Sequence, residues 1–374
     1  MTRLLVVTAQ PPLVEGGAAG RCMVALLRGL RACGVDVETL APRQEFAAPG
    51  DPPDDLDVEI VAVPGTTAGR WDRLRHPVAD LARGAFADRV REAAGRSDAV
   101  YLDQIETACL SREVADRPTA LHLHYRARRD APLGAPWRPA FRHRLEFARA
   151  ERRAIGDSRW LVANSAEVLA GLRPGRPGGG TAVVPLAIDP ADYPLAAGPV
   201  APVAGIIGTA SWAPTRQAML RLCREVWPLV RALLPDARLH VAGRGTDRLA
   251  AELAGPGVTV TGPVESAAGF LRSVSVLVFP PGRGSGTKVK VLEALASAVP
   301  VVCTPPGAEG LAPNPGLVVA TSSGELASAV ARLLTDGDER ARRGTAGRAY
   351  IEARHGPAAA AAPLVALLER MVRQ

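Results

Sequence analysis

Short apolar runs alternate with longer stretches of helical hydrophobic spacing almost from one end of the chain to the other. In the first half the runs predict strands near 3–8, 36–40, 58–63, 99–102, 119–123, 160–164 and 181–185. In the second half they fall near 203–208, 238–242, 257–261, 274–279, 299–303 and 316–320. Between them the spacing predicts helices such as Ala18–Ala32, Gln217–Leu234 and Val289–Ala298, with a last one at roughly 357–373. Strand and helix in strict alternation is the pattern of a parallel sheet covered on both faces. So many strands exceed one doubly wound sheet, and the prolines from Pro185 to Pro202 suit a hinge over 189–202. The expectation is α/β: two Rossmann-like domains, 1–188 and 203–356, with the last helix (about 357–374) free to pack back on the first. In such sheets ligands bind outside the carboxyl ends of the strands, so chemistry is sought where strands end and helices begin.

Composition narrows the class without choosing a chemistry. Hydrophobic residues make up 47% of the 374 positions and charged residues 22%, which excludes wholesale disorder. The opening Leu4–Ala9 run is too short for a signal sequence and meets Pro11-Pro12 at once. No window offers about 18 consecutive apolar residues, so a membrane span is excluded and a cytoplasmic location is expected. Five scattered cysteines, none in a C-x-x-C pair, read as reduced thiols. The net charge of +7 invites a nucleic-acid reading, but aromatics are only 4% and no basic run is interleaved with them; no nucleic-acid partner is expected. Of the 45 basic residues only Lys288 and Lys290 are lysine, and both lie in one short segment.

That segment carries most of the chemistry. A buried strand, Ser275–Phe279, runs into the Gly-rich turn Pro280–Lys288 and then into a helix. Helix-start amides, the positive end of the helix dipole and Lys288 all favour a bound phosphate there. It is not a Walker motif, because Thr287 precedes the lysine. Glu293 lies roughly 8–9 Å along the helix from its first turn, about the span from a diphosphate to its ribose. A carboxylate so placed accepts from two ribose hydroxyls; the plainer alternative is a solvated residue paired with Lys290.

The run Gly284-Ser285-Gly286-Thr287-Lys288-Val289-Lys290-Val291-Leu292-Glu293-Ala294, with Pro300-Val301-Val302 and Gly307-Ala308-Glu309-Gly310-Leu311, resembles the donor-binding signature of family 4 retaining glycosyltransferases. Gly208–Pro214, Val241–Gly245, Val260–Val264, Ala163–Glu167 and Val184-Pro185 with Asp189 resemble further pieces of that family in order. The resemblance implies the GT-B fold, two Rossmann-like domains facing a central cleft. It implies Glu293 on the ribose, the turn of Gly286, Thr287 and Lys288 at the diphosphate, Ser285 among the donor-binding residues, and Val264 beside the base. Arg216 or Arg244 would neutralise the leaving phosphate. Two positions depart from the family: Ser285 stands where many relatives carry a glutamate that reaches the donor sugar, and Thr215 where asparagine is expected.

In the first domain, Gly16 and Gly17 open a helix after the first strand and match a dinucleotide fingerprint poorly. The resemblance places them against the donor diphosphate. His122 and His124 share one face of a strand end, a weak metal pair for want of a third ligand. His124 aligns with the family's histidine that hydrogen-bonds the transferring sugar, and Asp103 ends the neighbouring strand, where a loop-capping role is favoured over acceptor contact. Asp55-Leu56-Asp57 precedes its strand and is rejected as a metal-diphosphate motif. Between Arg126 and Arg159 ten arginines face four acids, a solvated face or a surface for peripheral membrane contact.

The reaction so implied moves a sugar from a nucleotide diphosphate sugar, a UDP-sugar first among them, to an acceptor hydroxyl or amine of a natural product, glycan or lipid-linked sugar. Configuration is retained, and neither a cofactor nor an obligatory metal is expected. A GT-B sugar-nucleotide epimerase or phosphorylase and a non-catalytic nucleotide-sugar-binding subunit are the alternatives.

Overall fold

The computed structural model describes residues 1–14, 16–43, 50–63, 79–130, 139–195 and 203–374. Glu15, residues 131–138 of the arginine-rich stretch and residues 196–202 of the Pro-rich stretch lie outside the described residues, as does the Arg142 side chain. The chain divides into two compact units, one of Met1–Ala187 with Gly356–Gln374 and the other of Ile188–His355.

The first unit is a seven-stranded, all-parallel sheet in the order β3-β2-β1-β4-β5-β6-β7. Its strands are β1 (Arg3–Val7), β2 (Asp36–Pro42), β3 (Val58–Val61), β4 (Ala99–Asp103), β5 (Thr119–Leu123), β6 (Trp160–Ala163) and β7 (Gly180–Val183). Successive residues of a strand point to opposite faces, so β1 feeds two cores. Leu4 and Val6 join Tyr101, Trp160 and the helices Ala18–Ala32 and Pro357–Val372, while Leu5 and Val7 join Val100, Leu102, Leu121 and Phe86. Burial on both faces explains why these strands read as continuous apolar runs rather than alternating ones.

The second unit is a six-stranded parallel sheet in the order β10-β9-β8-β11-β12-β13. Its strands are β8 (Val203–Ile207), β9 (Arg238–Ala242), β10 (Val258–Val260), β11 (Val276–Phe279), β12 (Val301–Cys303) and β13 (Leu317–Val319). The helix predicted over Gln217–Leu234 starts earlier, at Ala213, and is interrupted by a π turn at Leu222–Val226 before Trp227–Leu233. Pro228 explains the interruption, since it has no amide for the fourth carbonyl back and its ring crowds that carbonyl; a wider turn relieves both.

In both sheets the chain builds to one side of the first strand and then crosses to the other. The reversal points lie between β1 and β4 and between β8 and β11, and a doubly wound sheet opens its ligand crevice there, outside the carboxyl ends of the strands.

Candidate functional site

In the second unit the carboxyl ends of β8, β9 and β10 are stitched by backbone hydrogen bonds, Gly208 N to Ala242 O at 3.0 Å and Gly243 N to Gly262 O at 2.8 Å. A Cβ on Gly243 would meet the Gly208 carbonyl oxygen at 2.1 Å, so the approach needs glycine. Beyond β11 the chain turns through Gly284 (φ 137°) and Gly286 (φ 74°) and enters the Val289–Ala296 helix. Ser285, Gly286 and Thr287 are buried in this turn. The Gly286 amide donates to Glu309 Oε1 at 2.8 Å, and Lys288 Nζ folds back to donate to Ser285 O at 2.9 Å and to Gly286 O.

Glu293 is not a solvated helix residue. It is only 3% exposed, and its Oε1 accepts from the Tyr193 hydroxyl at 2.9 Å. Lys290 reaches the other way. Its Nζ donates to Thr215 Oγ1 at 2.9 Å and stands 4.5 Å from the centre of the Phe279 ring. Burial and the charge of Lys288 push its pKa down to about 8, against the carboxylate of Glu293.

The two arginines nominated for the leaving phosphate are placed differently. Arg216 is exposed and ion-paired to Glu252 at 3.0 Å, an acid it shares with Arg224. Arg244 is exposed on the loop after β9, where its carbonyl accepts from Ala210 N at 2.8 Å. Val264 is half-buried on the loop after β10. The structure thus gathers Ser285, Gly286, Thr287, Lys288 and Glu293 on one turn and its helix, and adds two residues that were not nominated for the site, Glu309 and Lys290. The Gly307–Leu311 motif and the chain's two lysines were the available signals.

In the first unit, Gly16 and Gly17 form the tight entry to the Ala18–Ala32 helix. Gly17 caps it, and the Gly16 carbonyl accepts from Arg21 Nη1 at 2.6 Å. At the ends of β4 and β5 lies a network of buried polar groups. Asp103 Oδ1 accepts from His124 Nε2 at 2.7 Å and lies 3.4 Å from His122 Nδ1, which is 2.5 Å from the Tyr101 hydroxyl. Asn164 Nδ2 donates to the His124 carbonyl at 2.8 Å. Burial would raise the Asp103 carboxyl, but the charges and hydrogen bonds of His124 and His122 hold it well below the usual carboxylate range. Burial lowers His124, yet Asp103 outweighs it and leaves the imidazole above its ordinary value. For His122 burial wins, with His124's charge beside it, and its pKa falls to about 4.

Asp103, His122 and His124 are also, among the described residues, the group whose ligand atoms fall within 4.8 Å of one another, close enough to surround one cation. Asp103 supplies the third ligand that the sequence did not connect to the histidine pair. A larger cavity of this unit, about 430 Å³, opens along Arg112, Arg117 and Arg159 beside the start of β5 and touches none of the nominated residues. Among the described residues no helix is long and apolar enough to cross a membrane.

Two parallel α/β units, the second with a glycine turn and helix at its strand ends, define the GT-B glycosyltransferase fold. Residues 201–336 match the family model described as Glycosyl transferases group 1, which makes the second unit a group 1 glycosyltransferase domain and the chain a glycosyltransferase. The chain is similar in structure to sucrose-phosphate synthase from Thermosynechococcus elongatus, at 15% identity, TM-score 0.72 and full coverage of both chains. It is similar to Anabaena HepE in complex with UDP and glucose, at 15% identity and TM-score 0.65, covering 98% of this chain and 99% of that one. The α,α-trehalose 6-phosphate synthase of Burkholderia multivorans aligns at 16% identity and TM-score 0.64, over 100% and 99% of the two chains. No curated protein matches the chain.

Proposed function

We propose that the protein transfers a sugar from a nucleotide diphosphate sugar, UDP-linked in the first instance, to an acceptor hydroxyl or amine with retention at the anomeric carbon. The observation that carries this reading is the glycine turn running into the helix of buried Glu293, inside the stretch that matches the group 1 model. HepE, a structural relative, is described with UDP and glucose bound, which supports a nucleotide-sugar donor.

On this reading the bond from the anomeric carbon to the diphosphate oxygen breaks and the acceptor oxygen or nitrogen bonds to the same face. The acceptor proton passes to the departing diphosphate. Turn amides and Lys288 stabilise the charge that develops. Glu293, released from Tyr193, takes the ribose hydroxyls, and His124 hydrogen-bonds the sugar with its ring steadied by Asp103. No metal is obligatory, so turnover is expected to survive exhaustive treatment with EDTA.

A thermal-shift panel of UDP, GDP, TDP and ADP on wild type and Glu293→Ala tests the donor site. A ligand at 100 times its Kd adds about 2.7 kcal/mol, several degrees in Tm. One diphosphate is expected to raise the wild-type Tm and to lose its effect in the variant. Four diphosphates without effect on the wild type would sink the reading. A shift that persists in Glu293→Ala would remove only the ribose contact.

A further inference from the structure

Lys290 is one of several basic residues in or near the glycine turn, where Arg283 is half-buried with its Nε lacking a hydrogen-bond partner. Arg216 is held by Glu252, and Lys288 donates to carbonyls of its own turn. Lys290 instead brings a half-buried ammonium to a neutral hydroxyl and an aromatic face, and among the described residues no carboxylate lies within ion-pair distance of its Nζ. Charges withdrawn from water are normally paired with acids or ligands, because losing hydration without a partner is expensive.

The position of the ammonium matters as much as its missing partner. Thr215, which fixes it, is 1% exposed. Phe279, beneath it, is the last residue of β11, and Gly208 immediately follows β8. A Cβ on Gly208 would lie 2.9 Å from Lys290 Cε and 3.1 Å from its Nζ, so the lysine is laid directly against the end of β8. The charge therefore sits at the reversal point of the sheet, where a doubly wound fold receives its ligand. The amides of the Val289–Ala296 helix start beside it.

We propose that Lys290, positioned by Thr215, is the cation that receives the diphosphate of the nucleotide and neutralises it as the bond to the sugar breaks. The inference rests on the nucleotide-sugar reading above, and it assigns to Lys290 the part the sequence left open between Arg216 and Arg244. It also gives Thr215 a reason to be there: a short hydroxyl accepts from the ammonium and holds it at the crevice without cancelling its charge.

The charged groups facing Nζ are Lys288, which lowers its proton affinity, and Glu293, which raises it; Thr215, Phe279 and Gly208 bring no charge. An arriving diphosphate stabilises the protonated amine. Binding should therefore take up a fraction of a proton above pH 8 and weaken as pH rises further.

Calorimetry on the full chain tests this, with UDP (or whichever of the four diphosphates the wild type binds) set against its nucleoside. Lys290→Met keeps the apolar stem and removes the charge; it should weaken the diphosphate by roughly 10–100-fold and leave the nucleoside unchanged. Lys290→Arg should recover part of that loss. Proton uptake, read from the dependence of binding heat on buffer ionisation, should vanish in Lys290→Met. Equal diphosphate affinity in wild type and Lys290→Met overturns the assignment while the nucleotide reading stands. So does a parallel loss of nucleoside binding, which marks a merely structural lysine. No binding of any diphosphate to the wild type overturns the nucleotide reading and this assignment with it.

Discussion

His122 on β5 and His124, two positions on and just past the strand's end, are pushed in opposite directions by one carboxylate and one buried setting, so the stability of the first unit is expected to pass through a pH optimum. His122, with its pKa near 4 in the fold and about 6.5 unfolded, is protonated more readily in the unfolded chain between those values. Stability is therefore lost as pH falls from 6.5 towards 4, by on the order of 3 kcal/mol if the whole shift is expressed. His124 is raised, so its contribution is complete below pH 6.5 and disappears as pH climbs through its folded pKa. The two limbs meet near pH 6.5. Thermal melts across pH 4 to 9 should show His122→Gln flattening the acid limb and His124→Gln flattening the alkaline one; slopes unchanged in both variants would refute the network's role. Much of this chemistry was legible as residue types at strand ends, but pairing was not. Alternation places His122 and His124 on one face, while the link to Asp103 depends on β4 and β5 lying in register, Asp103 opposite His122. Lys290 escaped for a similar reason. Spacing suggests Glu293, three residues on, as its partner, and the fold instead offers Thr215, 75 positions away.

At the scale of elements the thirteen strands of the described residues stand where apolar runs predicted them, because strands buried on both faces need such runs and tolerate few polar interruptions. The 213–233 region was less legible, since a π turn is an accommodation to Pro228 that no periodicity announces. Glycines inside helices show how packing overrides propensity. Gly29 and Gly156 both sit in helices, and alanine is intrinsically better there by about 1 kcal/mol. A Cβ on Gly156 would meet nothing within 4 Å, whereas one on Gly29 would lie 2.0 Å from the Pro357 carbonyl oxygen. Gly156→Ala is therefore expected to raise Tm by up to about 4 °C. Gly29→Ala should lower it, the clash outweighing the propensity gain. Opposite signs in differential scanning calorimetry decide the matter, and a stabilised Gly29→Ala would mean that the helix pair is not packed as described.

The Gly29 contact belongs to a larger feature of the molecule, the return of the chain to its first unit after the second is complete. The Pro357–Val372 helix was legible as a helix, but its apolar side does not say which sheet it covers. That choice is made by long-range fit, small residues Ala360 and Ala361 at the close approach and Leu364, Leu367, Leu368 and Met371 in the core with Leu4, Tyr101 and Trp160. Arg370 adds its guanidinium 5.2 Å above the Trp160 ring. Burying a large apolar side chain is worth about 1.5–3 kcal/mol. Four of them rival the entire stability of an ordinary domain, about 5–15 kcal/mol. A chain ending at His355 should consequently keep the second unit and lose the first. Hydrogen exchange resolves the two, with protection of β1, β4 and β5 amides falling to that of an unfolded chain while β8, β11 and β12 stay slow. Protection retained at β1 and β4 in the shortened chain would show that the first sheet stands without its last helix, and that the helix is an accessory to this core rather than part of it.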